Sequence, residues 1–146
     1  MRRRKARELA LQALFAYEVN PASYEQLVAN LRDNFTSDLS PERLDSDFMR
    51  AVLAAALDRR AEIDTFIEKH SDNWKLSRMS RVDRNILRLA AAELLSCNDV
   101  PASVTLDEAV MLAKRYGTEE SPAFVNGIID QIWKTLPPNP SKAKSY

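Results

Sequence analysis

The chain has 146 residues, 45% hydrophobic and 29% charged, enough for one domain to bury a core without disulfide or metal staples. Gly117 and Gly127 are its two glycines, which excludes a dinucleotide-binding fingerprint and a phosphate-binding loop. Cys97 and His70 are each alone, so no intramolecular disulfide and no zinc site built on His pairs or Cys clusters is expected.

No cofactor, metal or catalytic centre is called for either. His70 lies in Glu-Lys-His-Ser with no sharp turn motif near a serine, which gives a Ser-His-Asp relay no footing. The longest wholly apolar run, Ala51 to Leu57, is far short of the ~20 residues of a spanning helix. A soluble, cytoplasmic protein is expected.

A formal net charge of zero hides an asymmetry. Arg2, Arg3, Arg4, Lys5 and Arg7 crowd the first seven residues, leaving 16 basic against 21 acidic groups in the other 139. A concentrated positive end on an acidic body suits an anionic partner held at one place.

Apolar spacing is helical nearly throughout, and no stretch alternates with period two for long enough to build a sheet. The first helix runs from Met1 to about Asn20, stopped before Pro21, with Ala6, Leu9, Ala10, Ala13, Ala16 and Tyr17 as its inward stripe. Ser23 and Gln26 form a capping box for a second helix carrying Tyr24, Leu27, Val28, Leu31 and Phe35. Thr36 to Ser40 reads as a loop. Ser40-Pro41 then opens a third helix with Leu44, Phe48, Val52, Ala55 and Ala56 inward.

A fourth helix spans about Glu62 to His70. Ser71 to Ser80 is irregular or a short turn, anchored by Trp74 and Leu76. Val82 to Cys97 carries the strongest helical pattern. Val104 to Tyr116 follows, with Asp107 and Glu108 read as first-turn acids and Gly117 as its C-terminal cap. Ser121-Pro122 starts the last helix, buried through Val125, Ile128, Ile129, Ile132 and Leu136. The expectation is an all-α fold of about seven helices over 1–136, in two packed subdomains of about 1–80 and 81–136. Residues 137–146, with three prolines, read as a disordered tail.

Three places invite chemistry. Cations at a helix N-terminus oppose its macrodipole, so the basic run is either a solvated terminus or a phosphate-binding strip. Arg3, Arg4 and Arg7 fall on one side of the helix, on a line continuing through Leu11, Leu14 and Phe15. Leu11 and Phe15 lie outside the main stripe. Phe15 thus either stacks on an unpaired base or packs against a second layer of helices. No later helix is basic enough to serve as a duplex-reading recognition helix.

The second place is Gly117 to Gly127. Gly127 inside a helix costs about 1 kcal/mol against alanine, so close packing or an approaching partner should compensate. Asn126 can bond a base edge or cap a backbone, and Phe124 either stacks in the open or packs on its neighbour. The third is Glu93, an acid on an apolar face. Without a second carboxylate or base it is read as structural.

Residues 3–15 (Arg-Arg-Lys-Ala-Arg-Glu-Leu-Ala-Leu-Gln-Ala-Leu-Phe), 81–90 (Arg-Val-Asp-Arg-Asn-Ile-Leu-Arg-Leu-Ala) with Glu93-Leu94, Val100-Pro101, Asp107-Glu108-Ala109-Val110 with Leu112-Ala113-Lys114, and Phe124-Val125-Asn126-Gly127 resemble the NusB family of bacterial transcription antitermination factors. The resemblance runs in order over about 3–133. It implies an all-helical protein that pairs with NusE, a small-subunit ribosomal protein, and binds the boxA element of nascent RNA beside transcribing RNA polymerase and other Nus factors, supporting ribosomal RNA transcription. Carried over by position, the RNA surface is Arg3, Arg4, Lys5, Arg7, Phe15, Glu120, Phe124 and Asn126, and Asp83 is the NusE contact. Phe15 replaces a tyrosine common in the family, keeping the ring and losing the hydroxyl. Ala91-Ala92 replace a pair that often carries a tyrosine.

Two other readings compete. NusB-like domains also precede ribosomal RNA cytosine methyltransferases, but this chain ends without a cofactor-binding α/β domain and is not expected to catalyse methyl transfer. A helical homodimer acting only as a protein-interaction module, with the arginines closing its interface, is the other.

Overall fold

A computed structural model of the protein describes residues 2–35, 45–72 and 74–137. These residues form seven α-helices: α1 (Arg2–Val19), α2 (Tyr24–Phe35), α3 (Ser46–Asp58), α4 (Arg60–Lys69), α5 (Arg81–Ser96), α6 (Ala102–Tyr116) and α7 (Ser121–Thr135), with a single 3-10 turn at Leu76–Arg78. The all-α expectation holds. The loop over 36–40, the Ser40-Pro41 start, Leu44, the Phe35 side chain and the tail beyond Pro137 lie outside the described residues.

Local signals explain most boundaries. The Ser23–Gln26 box closes in both directions: Gln26 N–H donates to Ser23 Oγ at 3.2 Å, and Ser23 N–H to Gln26 Oε1 at 3.1 Å. Ser80 caps α5 by accepting from Asp83 N–H at 3.0 Å. The helix carrying Phe48 and Val52 starts at Ser46. Asp45 caps it by accepting from Phe48 N–H at 3.1 Å. The structure starts α6 at Ala102, which moves Asp107 and Glu108 out of the first turn.

Helix α5 is the central rod. It packs against α1, α3, α4, α6 and α7, and every residue from Asn85 to Leu94 is buried. Helix α1 is similarly enclosed, with Ala6 to Leu11, Ala13 and Leu14 buried. This corrects the inward stripe expected for it: Leu11 is 1% exposed, whereas Ala16 faces solvent. The cause is tertiary, because α2, α3 and α5 all lean on α1. Trp74 is the second correction. It is 53% exposed and lies outside the buried core, while Leu76 nearby is buried.

The two glycines differ. A Cβ on Gly117 would lie 2.4 Å from Ser121 Oγ, so only glycine permits the tight turn from α6 into α7. A Cβ on Gly127 would meet nothing within 4 Å, which rules out close packing within the protein as the reason for this residue.

Candidate nucleic-acid interface

The basic start of α1 is matched with carboxylates from three other segments. Arg3 donates to Asp45 Oδ2 at 3.2 Å and to Asp99 Oδ2 at 2.7 Å. Arg4 forks onto Glu108, with Nε to Oε1 at 3.2 Å and Nη2 to Oε2 at 3.1 Å. Lys5 Nζ lies 3.9 Å from Glu8, which also takes Arg115 at 2.6 Å. These pairs offset the repulsion between clustered cations and the helix dipole. They also pull Asp45 below the ordinary carboxylate range, led by the Phe48 N–H bond and helped by Arg3.

Arg7 is different in kind. It is 5% exposed, donates from Nε to Glu93 Oε1 at 2.6 Å and from Nη1 to Glu108 Oε1 at 3.1 Å. Arg3 and Arg7 both set their guanidinium groups 4.9 Å from the Phe48 ring. Arg7 is therefore an internal strut, and Glu93 has the structural role expected of it. Arg4 remains exposed and shares Glu108 with Arg7, so the solvent-facing cation is steered by the buried one.

Phe15 is half-buried and packs on the core. Glu120 is exposed and accepts from Thr118 Oγ1 at 3.3 Å. Phe124 is half-buried and meets Trp74 edge-on, with ring centroids 6.5 Å apart and planes at 78°. Asn126 is exposed but sits about 160° around α7 from Phe124.

The expected surface is thus divided. Arg4 and Arg7 line a small groove between α1 and α6 with Glu8, Glu108 and Arg115. Phe124 lines another groove, between the end of α4 and α7, that shares no residue with the first. Asp83, in the first turn of α5, has a buried Oδ1 without a hydrogen-bond partner among the described residues.

Sequence reasoning missed the opposite end of α1. Glu18 there gathers Arg81 at 3.4 Å, Arg84 at 2.7 and 2.8 Å, and Arg88. Burial alone would push the Glu18 carboxyl upward. The hydrogen bonds and charges of Arg84 and Arg88 outweigh it and hold the group at about 2. Spacing alone could have suggested this site, since 81, 84 and 88 share one face of α5. No helix of the described residues is long and apolar enough to cross a membrane.

Comparison with known proteins bears on this geometry. The NusB family profile matches residues 4–134. The chain is 47% identical over 134 residues to the transcription antitermination protein NusB of Sorangium cellulosum, covering 92% of this chain and 93% of that one. It is 41% identical to the NusB of Chloroherpeton thalassium, again over 92% of this chain, but spans only 62% of that relative's length. The structure superposes on Thermotoga maritima NusB with a TM-score of 0.82 at 38% identity, over 94% of each chain. It also superposes on a structure of antitermination factors NusB and NusE in complex with dsRNA, with a TM-score of 0.80 at 26% identity, over 92% of this chain and 97% of that one. With a family match spanning nearly its whole length, the chain belongs to the NusB family.

Proposed function

We propose that this protein is a non-enzymatic, RNA-binding transcription antitermination factor that pairs with NusE and binds boxA of nascent RNA, supporting ribosomal RNA transcription. The observation that carries the reading is the family match over residues 4–134, joined to the likeness to a NusB bound to NusE and RNA. The surface chemistry agrees with it. Arg3, Arg4 and Lys5 put cationic groups at the front of α1, each on a carboxylate that a phosphate can displace.

In this account Arg4 is the leading phosphate contact, because its exposed guanidinium exchanges one anionic partner for another. Arg7 works from the interior as a strut, holding in place the Glu108 carboxylate that a phosphate must displace from Arg4. Phe15, Glu120, Phe124 and Asn126 extend the RNA surface toward α7. Asp83, in the first turn of α5, is the position we assign to the NusE contact.

The test is a gel shift of this chain, alone and with NusE, against boxA RNA, a scrambled strand and a duplex. The expected result is preference for boxA that tightens when NusE is added. Equal binding to the scrambled strand, or no effect of NusE, contradicts the adapter role.

A further inference from the structure

The groove at the start of α7 contains a large aromatic side chain that the fold leaves outside. Trp74 is 53% exposed, an unusual position for a residue type that is highly buried on average. Its backbone is held from both sides. Trp74 N–H donates to Ser71 O at 3.0 Å, Ser71 Oγ–H donates back to Trp74 O at 2.6 Å, and Ser71 and Leu76 are buried. Leu76 N–H in turn donates to Glu68 Oε2 at 3.0 Å. Asp72 adopts a left-handed φ of 52°, a conformation uncommon outside glycine but tolerated by Asp. The Trp74 backbone is thus held on the protein while more than half of the residue stays open to solvent.

Three further features converge there. Phe124 props the Trp74 ring edge-on. Gly127, on the same face of α7 as Phe124, opens onto empty space, so its missing side chain serves no packing need of the protein's own. The groove they line has a volume of about 580 Å³ and a polar rim that includes Lys69, His70, Asp72 and Gln131. His70 Nε2 is tied to α7 by Thr135 Oγ1 at 3.0 Å, which fixes one wall to the other.

We propose that Trp74 is a base-stacking residue for single-stranded RNA, with Phe124 as its brace and Gly127 as the clearance through which the nucleobase enters. A flat aromatic face beside polar groups, with one cation and one acid in the lining, suits an uncharged heteroaromatic ring better than a phosphate. The inference rests on the RNA-binding reading and adds to it a residue that reads bases at a distance from the arginines.

The experiment uses the full chain with Trp133→Phe, leaving Trp74 as the sole tryptophan, and a labelled boxA strand of about 12 nucleotides. Emission of Trp74 is expected to quench in step with RNA anisotropy. Trp74→Ala should weaken binding about 5- to 100-fold without changing its salt slope, because no phosphate contact is lost. Trp74→Phe should restore much of the affinity, and Gly127→Leu should weaken binding by filling the groove.

Unchanged RNA affinity in Trp74→Ala and Gly127→Leu, with the parent binding normally, overturns the proposal and leaves the RNA-binding reading intact. Loss of NusE affinity in those variants with RNA affinity preserved likewise overturns it, making the groove a protein-docking site. A parent chain that binds no RNA in the presence of NusE rejects the underlying reading itself.

Discussion

Arg7 Nε donates to Glu93 Oε1 at 2.6 Å, a salt bridge between residues 86 apart in sequence whose side chains are 6% and 2% exposed. It ties the first helix to the central one beneath the basic surface. A buried pair of this kind stabilises little over an apolar pair, but breaking it strands a charge. Arg7→Met should therefore cost about 3–5 kcal/mol in urea unfolding, and Arg7→Met with Glu93→Leu should recover most of that loss. A single variant as stable as the parent refutes the strut role.

Acid should weaken the fold through Glu18. Its carboxyl is held at about 2 against an ordinary value near 4.5, so the stabilisation is complete above pH ~4.5 and is lost as pH falls toward 2. Glu18→Gln should be less stable than the parent at neutral pH, with Arg81, Arg84 and Arg88 left facing one another, and should lose less between pH 4.5 and 2. Parallel acid-unfolding curves for the two proteins would contradict the assignment.

The two glycines should respond to alanine with opposite signs. Gly117→Ala drives a Cβ to 2.4 Å from Ser121 Oγ and should lower Tm and loosen the α6–α7 turn. Gly127→Ala meets open space within a helix and should stabilise by about 0.5–1 kcal/mol. Calorimetry on both variants checks the pair.

Much of this architecture was legible because its signals are local. Pro21 and the Ser23–Gln26 box act within one turn of the helices they punctuate, and each did as its chemistry predicts. What escaped depends on neighbours distant in sequence. Leu11 is buried because other helices cover a side of α1 that its own periodicity leaves open. Trp74 reads as an anchor by composition, yet it is 53% exposed, and its ring meets Phe124 of α7, 50 positions away in sequence. The arginines of α1 were visible as a basic run, whereas Asp45, Asp99 and Glu108, which pair with them, are scattered over 63 positions.

Glu108 should restrain RNA binding. Its carboxylate holds Arg4 in a fork that a phosphate must displace. Glu108→Gln should tighten binding to the RNA, and Arg4→Ala should weaken it and reduce the salt slope by about 1. Opposite signs in the two variants, read by anisotropy, support direct competition; equal losses speak against it.

The most direct check on RNA binding by this member of the NusB family is an anisotropy titration of labelled boxA RNA with the chain and NusE at about 50 and 200 mM salt. Phosphate contacts at the front of α1 predict saturable binding whose affinity drops steeply between the two conditions. Affinity that is the same at both salts, or no binding at either, would contradict the account.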